Sequence, residues 1–259
     1  MLLDVRQHSE DQEVATFIPA FEIYHGCAED GTVIGTTYIW TPEPRLETFD
    51  KVCSEIHKHP GRSPERSLVT VLTAIESLTR CICALHCAGM VHRDIKPSNF
   101  GFVRRGNKTL TQTLSMFDIN SICSVYDETE RGMGTEGYME PEARYESASN
   151  QTDIYSIAAT LFHAVILTDE VREGGYLYRS EYYGRLRELV DSSRLIRASE
   201  ANSHPRLRNI LVTILQKCLC ARERRYANCE ELLADLETAL YYALPAEIAR
   251  RSLSGEKWI

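Results

Sequence analysis

The stretch Val91-His92-Arg93-Asp94-Ile95-Lys96-Pro97-Ser98-Asn99-Phe100-Gly101-Phe102 reads as a tight polar loop running into a short apolar strand. Three of its side chains are chemically complementary. The Asp94 carboxylate can orient a hydroxyl, the Lys96 ammonium can spread the charge of a migrating group, and the Asn99 carbonyl can hold Mg²⁺. Phosphoryl transfer asks for these groups, because its catalysis is mostly positioning and electrostatic stabilisation. Upstream, Leu68, Val71, Leu72, Ile75, Leu78, Ile82 and Leu85 recur at helical spacing and stop before Gly89, so a long amphipathic helix delivers the chain into the loop. Downstream, Phe100 to Arg104 and Leu114 to Asp118 flank a turn at Arg105-Gly106-Asn107 and read as two strands that bring Asp118 beside Asn99.

Farther out, Phe17 to Tyr24 and Thr36 to Thr41 are β-branched and aromatic runs separated by Glu29-Asp30-Gly31, which predicts two strands and a turn. Pro42-Glu43-Pro44 then opens a linker, since proline cannot donate to a ladder. Ile154, Ile157, Ala158, Leu161 and Val165 mark a second buried helix, and the final third alternates helical runs with polar breaks. No internal repeat or low-complexity tract is present.

At 259 residues with ordinary apolar and charged fractions, the chain can bury one large core or two modest ones. The formal charge of -8 gives no general attraction to a phosphate backbone, and no basic stripe carries interleaved aromatics, so no nucleic-acid partner is expected. No apolar run of roughly 18 to 20 residues stands out as a membrane span, and Asp4 and Glu10 sit where a signal peptide would be basic and then apolar; the expectation is a soluble, cytoplasmic protein with no membrane partner. Nine cysteines with no C-x-x-C pair suggest neither a disulfide framework nor zinc. Cys81, Cys83 and Cys87 fall on a helical stripe, where free thiols pack as small hydrophobes. Cys123, near Asp118, is a candidate for oxidation.

Together, His92-Arg93-Asp94, Lys96, Asn99, Phe117-Asp118-Ile119-Asn120, Met139-Glu140-Pro141-Glu142, Asp153 and Arg225 come in an order that resembles the eukaryotic-type protein kinases, in their serine/threonine branch because Lys96 follows Asp94 by two. The resemblance covers about residues 15 to 240. It implies an α+β, protein-kinase-like fold: a truncated small-lobe remnant over 1–44, a helical large lobe over 45–244, and a tail over 245–259. It also implies ATP and Mg²⁺ as cofactors and a protein substrate. On that resemblance Asp94 accepts or orients the hydroxyl proton, Lys96 contacts the phosphate, and Asn99 and Asp118 hold the metal. His92 is scaffold, Arg93 clamps a phosphorylated activation segment with Thr129 as its acceptor, and Thr135 bridges Asp94 to Lys96. Glu142 is expected to be buried against Arg225, and Asp153 to bond the main chain of His92 and Arg93. Where the family has glycine after its metal-binding aspartate and phenylalanine, this chain has Asn120, a residue that tolerates a left-handed backbone.

Several family parts are not found. No G-x-G-x-x-G precedes the two strands, and the first lysine, Lys51, lies past them. Asp4 stands roughly where the family's helix glutamate would be. With Thr41 guarding the pocket, Pro44 falls where the family offers adenine a main-chain N–H, and Gly101 where a leucine floors the base. Three readings follow: a phosphotransferase completed by other small-lobe parts, a pseudokinase or binding module, or a regulatory fragment that pairs with a complete kinase. An incomplete two-strand lobe has an open edge, so a complementing small-lobe chain or a homodimer is expected.

Overall fold

The computed structural model describes residues 21–27, 33–40, 46–61, 64–105, 108–126, 132–199 and 205–244. Thr41, the Pro42-Glu43-Pro44 linker, Gly106, Asn107, Thr129 and the segments 1–14 and 245–259 lie outside them.

Strands β1 (Phe21–Cys27) and β2 (Val33–Trp40) form an antiparallel pair in which Phe21 faces Trp40. Residues 17–20 and 41 of the two predicted runs lie outside the described residues. A three-residue strand β3 (Leu46–Thr48), not anticipated from sequence, pairs with β5 (Phe100–Arg105), which pairs in turn with β6 (Lys108–Met116). The register sets Thr48 opposite Gly101 and Gly101 opposite Ser115. Gly101 is required there: a Cβ would lie 2.4 Å from the Glu47 carbonyl oxygen, so the main chain of β3 occupies the space of a side chain. Strand β6 starts earlier and ends two residues sooner than read, leaving Asp118 outside it. Strands β4 (Met90–Val91) and β7 (Cys123–Ser124) form a third short pair, which uses Cys123 as a buried packing residue.

The remaining regular elements among the described residues are helices. Helix α1 (Phe49–Lys58) buries Phe49, Cys53 and Ile56 at i, i+4 and i+7, and Phe49 stacks on Phe100 with ring centroids 4.9 Å apart. Helix α2 (Pro64–Cys87) buries Leu68, Val71, Leu72, Ile75, Leu78 and Ile82, as the periodicity predicts, and ends ahead of Gly89 at φ 72°. It corrects one expectation: the helix has 24 residues and an 18-residue window in it has a mean hydropathy of 1.7, so by length and composition it is long and apolar enough to cross a bilayer. Here it packs inside the protein against α3 (Asn150–Val165) and α8 (Cys229–Ala243). Helix α3 is buried nearly all round, including Asp153, so it is the axis on which the other helices assemble. Short helices α4 (Asp169–Glu173), α5 (Leu186–Ser192) and α6 (Arg194–Ala198) lead to α7 (Pro205–Leu219), and α7 packs on α3 and α8.

Candidate active site

The loop after β4 is held by α3. Asp153, with no exposed surface, accepts the main-chain N–H of His92 and of Arg93, each at 2.8 Å, and lies 2.9 Å from His86 Nε2. Two N–H groups that would otherwise be buried and unpaired are thereby satisfied, and Arg93 can hold its left-handed φ of 72°. The far end of the loop closes through Asn99 N to Lys96 O at 3.0 Å and Phe117 N to Asn99 O at 2.7 Å.

Within this frame the sequence-predicted side chains converge. Thr135 Oγ1 donates to Asp94 Oδ1 at 2.6 Å and accepts from Lys96 Nζ at 2.7 Å, while Lys96 Nζ also donates to Asp94 Oδ2 at 2.7 Å. Asn99 Nδ2 donates to Asp94 Oδ2 at 2.9 Å and to its main-chain oxygen at 2.8 Å. Burial alone would raise the Asp94 pKa; the hydrogen bonds of Lys96 and Thr135, the Lys96 charge and Asn99 outweigh it and hold the carboxyl below its ordinary value. Gly134, at φ 135° and with the Arg93 carbonyl 3.1 Å from where a Cβ would sit, lets Thr135 approach the loop this closely.

His92 is buried, its Nδ1 accepting from Asp94 N at 3.3 Å, and burial lowers its pKa against the pull of Asp153, Asp94 and Asp118. The same imidazole is thus within electrostatic reach of both the 94 and the 118 carboxylates. Asp118 is exposed, and among the described residues no cation pairs with it. It is also the residue in the left-handed conformation, at φ 52° and ψ 55°, whereas Asn120 sits in a right-handed 3₁₀ turn (Ile119–Ser121). The expectation placed on Asn120 is corrected accordingly: an aspartate tolerates this region nearly as well as asparagine, and the turn after it demands the bend one step earlier. Arg93 is buried and donates through Nε to the carbonyl of Ser121, tying the loop to that turn.

The acidic pair after Met139 also differs from expectation. Arg225 Nη2 does reach Glu142 at 2.9 Å, but Glu142 is partly exposed. The fully buried carboxylate is Glu140, which accepts from Arg225, from Arg222 and from Thr152 Oγ1, the last at 2.6 Å. Sequence reading missed Glu140, Thr152 and Arg222. Two glutamates flanking Pro141 and three arginines in Arg222-Glu223-Arg224-Arg225 were the available signal. Gly101 belongs to the strand following the loop, roofed by Glu47 as described above.

Comparison with known proteins agrees with this arrangement. Residues 50–236 match the protein kinase domain. The serine/threonine-protein kinase PknD of Protochlamydia amoebophila is 25% identical over 191 residues, 67% of this chain and 19% of that protein. PknB of Mycobacterium tuberculosis is 27% identical over 191 residues, 70% of this chain and 27% of that protein, and PknA of the same species is 34% identical over 107 residues, 40% of this chain and 24% of that protein. The chain therefore spans about a quarter or less of the length of these relatives. With the loop, Asp118 and the helical scaffold in the kinase order, and with most of its length matched, the chain belongs to the protein kinase family, and its fold is the α+β protein-kinase fold dominated by a helical large lobe.

Proposed function

We propose that the chain moves the γ-phosphoryl group of ATP to a serine or threonine hydroxyl of a protein substrate. The observation that carries this reading is the closed triangle of Asp94, Lys96 and Thr135, braced by Asn99. Asp94, ionised at neutral pH, orients the acceptor hydroxyl and takes its proton. Lys96 sits against that carboxylate, so positive charge meets the migrating group where negative charge accumulates. Asn99 and Asp118 suit Mg²⁺: Asn99 uses Nδ2 on Asp94, its Oδ1 has only a 3.4 Å contact from Ser98, and the Asp118 carboxylate has no cation among the described residues. The bound ion would neutralise charge on the nucleotide phosphates. A Gly-rich loop and strand lysine would come from another polypeptide that complements the small lobe. A reducing cytoplasm suits the eight described cysteines, all free.

One observation favours a second reading, a pseudokinase that docks partners without catalysis. At Gly101, where a leucine would floor adenine, the main chain of Glu47 fills the space that a side chain would take. Calorimetric titration with MgATP, paired with a phosphate-transfer assay, separates the two. Heat that is lost in Asp118→Ala, with transfer lost in Asp94→Asn, supports the enzyme. No heat up to millimolar nucleotide, alone or beside a candidate small-lobe partner, overturns it in favour of docking.

A further inference from the structure

Cys83 and Cys87 stand one helical turn apart on α2, and Glu230 reaches them from the first turn of α8. Their two sulfurs and a carboxylate oxygen all lie within 4.8 Å of one another, and Cys83 Sγ is 3.1 Å from Glu230 Oε1. The i, i+4 spacing puts both thiols on one side of the helix, which a search for C-x-x-C pairs passes over. Cys83 packs partly against the core, as expected from the helical stripe, but Cys87 is exposed. The α8 turn is fixed by Asn228, whose Oδ1 accepts from Glu231 N at 3.0 Å, so Glu230 is presented on a capped, rigid element.

We propose that Cys83, Cys87 and Glu230 form a binding site for a thiophilic divalent cation, Zn²⁺ in the first instance, with the fourth position open to water. Tetrahedral zinc with Zn–S near 2.3 Å and Zn–O near 2.1 Å sets its donor atoms roughly 3.6–3.8 Å apart. From the observed spacing the widest pair has to close by about 1 Å and the Cys83–Glu230 pair to open by about 0.5 Å, both within the reach of side-chain rotation. Without a metal, burial first, and then the Glu230 carboxylate and the neighbouring Cys87, push the Cys83 thiol up to about 12. Binding replaces protons by the cation: two S–H bonds break, two S–Zn bonds form, and two protons leave to solvent. The titratable groups around the site are Cys83, His86 and Cys87 from α2, Cys229 and Glu230 from α8, and Asp153 from α3 behind them. Cys229 Sγ contacts His86 Nδ1 at 3.4 Å, and His86 Nε2 contacts Asp153 at 2.9 Å, so the cation would sit at the outer end of a chain of contacts leading to the loop that carries Asp94. It would also staple α2 to α8.

The test uses the whole chain, reduced, with Cd²⁺ as the spectroscopic probe and Zn²⁺ in competition with a chelator. Wild type should show a thiolate-to-cadmium ultraviolet band that saturates at one equivalent, release two protons per ion in buffer-dependent calorimetry, and unfold at a higher temperature with zinc present. Cys83→Ser, Cys87→Ser and Glu230→Gln should each weaken zinc by at least about 10-fold, whereas Cys81→Ser, on a different face of α2, should bind as wild type. Glu230→Gln keeps both thiols and the core intact, so it reports even where a serine variant loses far-UV circular dichroism. A wild type without the band at one equivalent, or a Cys83→Ser/Cys87→Ser chain with unchanged zinc affinity, overturns the proposal.

Discussion

Removing Arg225 should do more damage than its number of contacts suggests. Its guanidinium is fully buried and spans Glu140, Glu142 at 2.9 Å, the Cys220 carbonyl at 2.9 Å and the Gln151 carbonyl at 3.2 Å, with its carbon 4.9 Å from the centre of the Tyr155 ring. In Arg225→Ala the Glu140 carboxylate stays buried with Thr152 and the more exposed Arg222 as its remaining donors. Stripping one partner from a buried ion pair costs about 3–5 kcal/mol, because the desolvated charge left behind is no longer compensated. For a domain of this size each kcal/mol moves the midpoint by about 2–4 °C, so thermal unfolding should shift down by about 6–20 °C. Urea unfolding at pH 7 measures the same loss independently of temperature. The double variant Glu140→Met/Arg225→Met should recover most of it, because both buried charges then leave together and apolar volume replaces them. A loss below about 1 kcal/mol in Arg225→Ala, or a double variant worse than the single, would refute the claim that Glu140 needs this cation.

Four further outcomes are expected. Gly101→Ala should destabilise by about 1–3 kcal/mol in urea unfolding, as overpacking does, because the new Cβ meets the Glu47 main chain and β3 has to shift; wild-type stability would show that β3 does not pack this closely. Thr135→Val keeps shape but removes the hydroxyl between Asp94 and Lys96, so phosphotransfer should fall roughly 10-fold with a stability change of about 1 kcal/mol or less, read from kcat and the unfolding midpoint. Asp153→Ala orphans the buried N–H groups of His92 and Arg93 and should cost roughly 2–6 kcal/mol, with Asp153→Asn intermediate. Burial lowers the pKa of both His57 and His163 to about 4, the His57 ring stacking on His163 and Tyr176. The unfolded chain, with histidines near 6.5, therefore binds more protons between about pH 4 and 6.5, so stability should fall as pH drops through that window. His57→Phe should flatten the slope, and a slope unchanged in that variant would remove His57 as a cause.

How much was legible in the sequence depended on how local each feature is. Asp94, Lys96 and Asn99 lie within six residues, so their convergence follows from one loop, and the helix leading into it follows from the repeat of Leu68 through Leu85. Those readings met the structure with little change. The misplaced left-handed residue, Asp118 in place of Asn120, came from judging one backbone step by residue type, when the turn Ile119–Ser121 and the Arg93 bond to Ser121 decide it. Glu140 was overlooked because which of two glutamates around Pro141 is buried depends on Arg222, Arg225 and Thr152, and the arginines lie more than 80 residues away.

Residue order and spacing by themselves determined the Asp94 loop, the two principal helices and the kinase family: the first two rest on short-range spacing and periodicity, and the family on the order of motifs from His92 to Arg225. Only tertiary structure decided which carboxylate is desolvated, that the main chain of Glu47 covers Gly101, and that Glu230 meets Cys83 and Cys87 across 147 residues of chain. Burial and charge pairing are properties of the packed whole: the cost of a charge or the room for a side chain is set by whichever distant segment arrives beside it.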